Sequence, residues 1–586
     1  MWEGILRKAI LCFYKMPRIA VLDKGRCKPK ECRFLCMRMC PKVRTGDEAI
    51  AIDEKTGKPI ISEILCTGCG ICVKKCPFNA ITIINLPEEL GEPVHKYGVN
   101  GFRIYNLPIP KDAVVGIVGS NGIGKTTVLK ILSGELKPNL GENAEWDDIL
   151  EHFKGNEIYN YFKRLASGNL RAIYKPQYIE SIPGYIKGRV GKILRKRDET
   201  GRFDIVIEML DMKNSIDKNI KELSGGELQK LAIATCLIRD ADIYLLDEPS
   251  SYLDVKERLN VAKAVRELIK KYVFVIEHDL VVLDYLSDYI HIIFGKPNAY
   301  GIVSNIKGVR VGINEYLSGF LRSENIRFRE EIKFSVLTPR DVSERVELIE
   351  YPELEKRYPA FYLNVKGGKL YKPEILGILG PNATGKTTFV KMLSNVIKPD
   401  NTELKFDLNV SYKPQYIKPR KALVKSLKLK PYFIEKLNIK HLMEMRIDEL
   451  SGGELQRVAI ADCLSRDADL YLLDEPSAYL DVEERLGFAR YLKKFAEDNK
   501  SSVMVVDHDI LLIDYLSDKL MVFSGESGKY GKASESMTLR DGMNKFLKEM
   551  NITFRRDPDS GRPRANKPDS VKDREQKARG EYYYSS

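Results

Sequence analysis

At 586 residues the chain is longer than one hydrophobic core organises, so three or four domains are expected. A composition 44% hydrophobic and 30% charged is that of soluble globular protein, and no apolar run approaches the roughly 20 residues of a membrane helix, which argues against an integral membrane protein. The net charge of +13 is uneven: residues 1–80 hold 16 Lys and Arg against 8 Asp and Glu, a basic surface that favours a polyanion such as RNA, although basic faces also serve solubility.

In residues 1–15 the apolar Ile5, Leu6, Ile10, Leu11 and Phe13 are broken up by Arg7, Lys8 and Lys15, and no small-residue cleavage site follows, so a signal peptide is not expected. Nine of the eleven cysteines fall in the first 80 residues, and if the chain is the intracellular ATPase that its later motifs suggest, these thiols should be reduced and available to metal rather than paired as disulfides. Cys66-x2-Cys69-x2-Cys72-x3-Cys76-Pro77 has the bacterial ferredoxin spacing, preceded by the looser Cys27-x4-Cys32-x3-Cys36-x3-Cys40-Pro41. In that pattern the fourth cysteine of each run ligates the other cluster. One [4Fe–4S] cluster then takes Cys27, Cys32, Cys36 and Cys76, and the second takes Cys40, Cys66, Cys69 and Cys72. Structural zinc is the alternative, but it wants two separated cysteine pairs. Gly68 and Gly70 let the backbone approach a cluster closely, whereas Cys12 has no partner at ligand spacing. No flavin or nicotinamide fingerprint is present, which leaves a structural or sensing role open beside electron transfer.

Val114–Val118 reads as a buried strand leading into Gly119-Ser120-Asn121-Gly122-Ile123-Gly124-Lys125-Thr126-Thr127, a P-loop. Its glycines let backbone amides wrap phosphates, Lys125 reaches the β and γ phosphates, and Thr126 offers a hydroxyl to Mg²⁺. Ile243–Leu246 delivers Asp247 to Mg²⁺ and Glu248 to the attacking water. Leu223-Ser224-Gly225-Gly226-Glu227-Leu228-Gln229 stands about 20 residues before that strand and returns unchanged as Leu450-Ser451-Gly452-Gly453-Glu454-Leu455-Gln456, 227 positions later. This heptad resembles the signature loop of ATP-binding-cassette (ABC) ATPases. The resemblance implies further roles: Gln177 as the Q-loop glutamine that senses Mg²⁺ and water, His278 as the switch histidine on the γ-phosphate, Ser251–Asp254 as the D-loop at the cassette interface, and Tyr97 or Phe102 as the adenine-stacking ring.

The second copy fills every position, with Gly380, Asn382, Gly385, Lys386, Thr387 and Thr388 in its P-loop, then Gln415, Ser451, Gly453, Asp474, Glu475, Asp481 and His508. Gln415, Thr387 and Asp474 are its Mg²⁺ candidates, and Tyr358 or Phe361 its adenine ring. Lys125 and Gln177 are 52 residues apart but Lys386 and Gln415 only 29, so the first cassette carries 23 extra residues. Trp146, Ile149, Leu150 and Phe153 share one helical face, Gly155-Asn156 turns the chain, and Ile158, Tyr161, Phe162 and Leu165 share another, which predicts a helix-loop-helix at about 144–167. Backbone ordering costs about 1–2 kcal/mol per residue, while each large apolar side chain returns about 1.5–3 kcal/mol. The insert should therefore pack on the cassette body and offer a docking surface, a passive elaboration being the alternative.

Between and after the cassettes two segments echo each other: Gly312–Leu317, Phe320 and Asn325–Arg329, then Gly542–Leu547 and Asn551–Arg556, which suggests a paired hinge. Residues 555–586 hold nine Lys and Arg, six Asp and Glu and five Pro or Gly, a composition that reads as disordered.

Paired cysteine motifs, two cassettes, an insert and paired hinges together resemble the ABCE family of archaeal and eukaryotic ribosome-recycling ATPases, also called RNase L inhibitors. The expected fold is α/β: two tandem ABC-type P-loop nucleotide-binding domains (91–300 and 346–525) behind an N-terminal α+β ferredoxin-like iron–sulfur domain (16–90). A hinge covers 301–345, and a second hinge segment and tail cover 526–586. Residues 1–15 depart from the family, which places the expected start at Met16. The resemblance implies a cytoplasmic monomer whose cassettes pair head to tail within the chain, with ATP on Lys125 capped by Ser451 and ATP on Lys386 by Ser224. Closure on ATP moves the iron–sulfur domain and splits the ribosome, and hydrolysis through Glu248 and Glu475 resets the clamp. The implied partners are the small subunit and its rRNA, a release factor or Pelota-like protein, and initiation factors. A transporter ATPase serving a membrane partner would explain the cassettes but not the cysteines, and an ATP-driven electron donor is the third class.

Overall fold

The computed structural model describes residues 18–85, 91–267, 271–332, 346–404 and 408–583. The expected extension over 1–15, Cys12 and the start at Met16 lie outside these residues, as do 333–345 of the first hinge segment. The chain divides into two compact units: residues up to Pro110 with Gly119–Leu170 and His291–Ile306, and Lys111–Val118 with Arg171–Ile290 and everything from Lys307.

In the first unit Arg18–Leu22 pairs antiparallel with Ile81–Asn85, closing the cysteine-rich region on itself, and Ile50–Ile52 pairs with Pro59–Ile61. Pro29–Cys32, Leu35–Arg38, Pro41–Arg44 and Ile71–Lys75 are single helical turns, too short to persist on propensity alone. Packing holds them, with Ala20, Leu22, Ile50, Ile61 and Ile81 buried against Cys36 and Cys72. Buried Asn100 ties the two ribbons: its Nδ2 donates to the carbonyls of Ala20 (3.0 Å) and Ile61 (2.7 Å), and its Oδ1 accepts from the Ile61 amide (2.8 Å). Glu63 receives Lys96 at 3.1 Å and also Arg103, fastening the region to His95–Lys96 and Arg103–Tyr105.

The same unit holds the P-loop helix Lys125–Ser133 and two helices, Trp146–His152 and Tyr159–Ala166. Ile149, Phe153, Ile158, Tyr161 and Phe162 are buried; the rings of Phe153 and Phe162 pack at a 37° tilt with centroids 5.1 Å apart, and the Tyr161 hydroxyl donates to the Leu132 carbonyl at the end of the P-loop helix.

In the second unit Val114–Val118, Tyr272–Ile276, Ile243–Asp247 and Ala172–Lys175 lie side by side and parallel, and the first three are the near-continuous apolar runs that strands covered on both faces require. The second cassette forms one sheet in the order Leu354–Tyr358, Phe361–Val365, Tyr530–Ala533, Lys519–Glu526, Glu374–Leu379, Ser502–Val506, Leu470–Asp474, Val410–Lys413, the last five mutually parallel. Gly380, Asp474, Gln415 and His508 all follow or end these strands at their carboxyl edge, where open α/β sheets bind ligands.

Each echoing segment is a helix followed by a ribbon: Val309–Ser318 with Phe320–Leu321 and Ile326–Arg327, then Leu539–Glu549 with Phe554–Arg556 and Pro563–Ala565. The expected disorder of the tail is overturned through residue 583. The second ribbon is followed by helix Val571–Arg579, and Arg562, Asn566, Asp573 and Tyr583 are buried. Buried ion pairs order this segment, and composition cannot distinguish a paired charge from a hydrated one.

Candidate active sites and metal centres

The second cassette presents its site within one unit. Strand Glu374–Leu379 feeds Gly380, and the loop turns into helix Lys386–Leu393 at Gly385, whose φ is +97° and whose Cβ, if present, would lie 2.7 Å from Leu363. Only glycine permits that turn, which leaves the first-turn amides and the dipole facing the loop. Lys386, buried, donates from Nζ to the carbonyls of Gly380 (2.8 Å) and Pro381 (2.7 Å).

Asp474 and Glu475 end the neighbouring strand with opposite acidities. Burial pushes the Asp474 carboxyl up to about 6 in spite of the Thr387 hydroxyl beside it. Burial also opposes charge on Glu475, but His508, Lys386 and Gln415 overrule it and hold that carboxyl down at about 2. Gln415 Nε2 donates to Glu475 Oε1 at 2.7 Å, and His508 Nε2 lies 3.5 Å from the same oxygen. A buried carboxyl that ionises reluctantly is one that a divalent cation relieves, so these donors fit Mg²⁺, and the firmly ionised neighbour suits an acceptor for a water proton.

The first cassette repeats these parts. In the first unit Lys125 Nζ donates to Gly119 and Ser120 carbonyls at 2.8 and 2.9 Å, with Thr126 and Thr127 opening the helix and Gly122 at φ +71°. Phe102 lies beneath the loop, 2.7 Å from where a Cβ on Gly124 would sit, whereas Tyr97 is 43% exposed with its hydroxyl 3.2 Å from Thr127 Oγ1. Phe361 lies under Gly385 in the same way, and Tyr358 is 41% exposed. Of the four aromatic candidates, Tyr97 and Tyr358 therefore turn most ring to solvent. In the second unit Gln177 Nε2 donates to Glu248 Oε1 at 2.7 Å, His278 Nε2 lies 3.3 Å from that oxygen, and Tyr174 donates to Asp247 at 3.2 Å.

Ser224 and Ser451 cap helices Gly225–Leu237 and Gly452–Ser465, their hydroxyls 3.0 and 2.8 Å from Glu227 and Glu454. A Cβ on Gly226 or Gly453 would sit 3.2 or 3.0 Å from the Tyr252 or Tyr479 carbonyl, so each signature loop lies tight on its own D-loop. Asp254 caps its helix through Oδ1 and accepts the Asn382 amide on Oδ2 at 2.9 Å, so the D-loop of one cassette touches the P-loop of the other. Asp481 caps the matching helix. Sequence reasoning assigned no task to Lys175, Lys413, Gln229 or Gln456, all of which reach the backbone of Asp247–Glu248 or Asp474–Glu475; their recurrence at matching offsets in both copies was the available signal.

Cys40, Cys66, Cys69 and Cys72 line one small cavity together with Ile50, Ile61 and Ile83. Cys27 is pushed up to about 11 by burial and by Cys36, Cys76 and Cys32 close by, and Cys72 likewise to about 11 by burial with Cys66 and Cys69 as neighbours. Among the described residues no three His, Cys, Asp or Glu side chains converge tightly enough to hold one metal ion. Cys40, Cys66, Cys69 and Cys72 surround a space rather than a point, which fits a cluster better than zinc. Gly68 (φ +65°) carries the chain past Arg18, whose Cβ would lie 2.6 Å from a Cβ at this position.

Family models match in three places: "ABC transporter" over residues 102–251 and 363–478, "Possible Fer4-like domain in RNase L inhibitor, RLI" over 17–48, and "4Fe-4S binding domain" over 59–82. An uncharacterized ABC transporter ATP-binding protein of Methanocaldococcus jannaschii is 55% identical across 97% of both chains. Translation initiation factor RLI1 of Saccharomyces cerevisiae is 46% identical over 97% of this chain and 98% of its own, and ABC transporter E family member 1 of Arabidopsis thaliana 44% identical over 97% and 99%. The chain belongs to the ABCE, or RNase L inhibitor, family. As an ABCE protein it is an ATPase of two ABC cassettes, with [4Fe–4S] clusters, ATP and Mg²⁺ as cofactors. The ABCE1 chain in a model of ribosome-bound archaeal Pelota and ABCE1 is 55% identical with a TM-score of 0.90, over 97% of this chain and 99% of that one. The archaeal ribosome recycling factor aABCE1, crystallised with ribosomal stalk protein aP1, is 53% identical with a TM-score of 0.81, over 84% and 99%. Among the described residues no helix is long and apolar enough to cross a membrane.

Proposed function

We propose that this chain is an ATP-dependent ribosome-recycling factor. It splits ribosomes into subunits after termination or rescue, together with a release factor or Pelota-like protein, by closing its cassettes on ATP and so moving the iron–sulfur domain. The observation that carries this reading is end-to-end similarity, at 55% identity over 97% of the chain, to an archaeal ABCE1 described on the ribosome with Pelota. The yeast relative, named a translation initiation factor, points to the same place of action in the cytoplasm. The basic N-terminal 80 residues, with 16 Lys and Arg against 8 Asp and Glu, suit small-subunit rRNA.

Bound ATP supplies the phosphoanhydride bond and Mg²⁺ the charge that neutralises its phosphates. Lys386 and the amides opening its helix would hold the β and γ phosphates, and Thr387, Asp474 and Gln415 would hold the cation. Glu475 would orient the attacking water and accept its proton, with Gln415 and His508 fixing the carboxylate at Oε1. Lys125, Thr126, Gln177, Asp247, Glu248 and His278 would act alike in the other cassette. Tyr97 and Tyr358 would stack on adenine, worth about 1–3 kcal/mol per base. The Asp254–Asn382 contact is what head-to-tail pairing within one monomer requires, with Ser224 closing on the Lys386 site. Cys27, Cys32, Cys36 and Cys76 would hold one cluster, and Cys40, Cys66, Cys69 and Cys72 the other.

The test is ribosome splitting followed on sucrose gradients with a release factor and ATP. The wild-type chain should yield free subunits, and Glu248→Gln combined with Glu475→Gln should lower ATP turnover about 100-fold or more and abolish repeated splitting. Undiminished turnover in the double variant would remove both glutamates from the mechanism.

A further inference from the structure

Lys175 and Lys413 are each 1% exposed and end the strands Ala172–Lys175 and Val410–Lys413. Register pairs them with Leu246 and Leu473 on the neighbouring parallel strands, one residue short of Asp247 and Asp474. From there Lys175 Nζ donates to the main-chain carbonyls of Asp247 (2.8 Å) and Glu248 (3.1 Å), and Lys413 Nζ to those of Asp474 (2.8 Å) and Glu475 (3.0 Å). A second donor reaches the same glutamate carbonyls from the signature helices: Gln229 Nε2 to Glu248 at 2.7 Å and Gln456 Nε2 to Glu475 at 2.6 Å. The arrangement occurs twice, with matching distances in both cassettes.

The clamped residues need holding. Glu248 and Glu475 sit at φ +48° and +46°, the left-handed region that a long L side chain adopts only under constraint. That turn aims the carboxylate at Gln177 and His278, or at Gln415 and His508; relaxing it would swing the carboxylate away. Burying an ammonium is costly; here it is met by the two carbonyls and by the nearby carboxylates of Asp247, Glu248 and Glu277, or of Asp474, Glu475 and Asp507, and of these groups only the carbonyls lie on the turn backbone itself.

We propose that Lys175 and Lys413, each with the glutamine of its own signature helix, are positioning residues for ATP hydrolysis. They lock the left-handed turn that aims the catalytic glutamate, and the glutamine makes the lock depend on the seating of the signature helix. The inference concerns the ATPase step and stands apart from the ribosome.

The test uses the full, cluster-loaded chain. Lys175→Met with Lys413→Met should lower kcat for ATP about tenfold or more while KM and the affinity for a fluorescent ATP analogue move less than about threefold, and Lys→Gln at both, keeping one donor, should fall between. Because the lysine acts through the carboxylate, Lys413→Met should add no loss when Glu475 is already Gln. An unchanged kcat, a rise in KM alone, or equal losses in both backgrounds would overturn the proposal. If the methionine variants fail to fold, Gln229→Leu with Gln456→Leu, which strands no buried charge, must give the same kcat loss at constant KM, and its absence refutes the proposal equally.

Discussion

Two consecutive acids with opposite acidities give the site its chemistry and make separate predictions. Asp474, raised to about 6 against an ordinary 3.8, favours folding most below its unfolded value, and that contribution is lost as pH climbs through about 6. At pH 7 without nucleotide, Asp474→Asn should therefore raise the melting midpoint, by the equivalent of about 1–3 kcal/mol, while ATP turnover falls with the lost cation ligand. Glu475, lowered to about 2 from 4.5, has the reverse sign: its contribution is complete above 4.5 and lost as pH falls through 2, so Glu475→Gln should lower the midpoint at pH 7. Calorimetry of both variants checks the pair, and shifts of the same sign would contradict it. The Asp-Glu adjacency was legible in the sequence, but its sign was not, because His508, Lys386 and Gln415 set it from three other segments. Lys175 and Lys413 escaped notice for a related reason: a motif gives residue types, not the backbone atoms they reach. Among the cysteines, Cys76→Ser should roughly halve the iron per chain and leave one cluster's visible absorbance, since Cys76 neighbours Cys27 while Cys40, Cys66, Cys69 and Cys72 share a separate cavity. Unchanged iron would refute that grouping.

Among the elements, the ribbon Phe554–Arg556 with Pro563–Ala565 is the least expected from composition. Arg562 and Arg564 grip Asp284 at 2.9 and 2.6 Å, all three buried, and Arg556 grips Asp514 at 3.0 Å. Asp284 and Asp514 hold matching places in helices Leu280–Leu286 and Ile510–Leu516, the helices that follow His278 and His508. One hairpin therefore binds the same helix of both cassettes. Asp284→Ala, which strands the buried Arg562 and Arg564 together, should cost about 3–5 kcal/mol in denaturant unfolding, the range for leaving a buried charge unpaired. Removing exposed Lys154, 3.5 Å from Glu151, should cost under about 1 kcal/mol. Equal costs would show that burial is not what orders the tail. The inserted helices were legible because their apolar residues follow a helical period. The tail was not, because its ordering partners lie roughly 280 residues earlier in the chain.

At the scale of the molecule, the repeat of seven residues at an interval of 227 was enough to reveal two cassettes, and the cysteine spacing enough to reveal the iron–sulfur region. The sequence could not supply the contact that joins the repeats. Asp254 Oδ2 accepting the Asn382 amide depends on a helix cap in one cassette presenting its spare oxygen to a loop in the other. In the proposed function, ATP-driven pairing of these cassettes is converted to ribosome splitting through the iron–sulfur domain. The most direct test of that conversion is sucrose-gradient sedimentation of ribosomes with a release factor and ATP, comparing the cluster-loaded chain with the same chain after iron removal, both checked for ATP turnover. Free subunits with intact clusters and whole ribosomes without them, at comparable turnover, is the predicted result. Equal splitting in both, or whole ribosomes in both while ATP is hydrolysed, would contradict it.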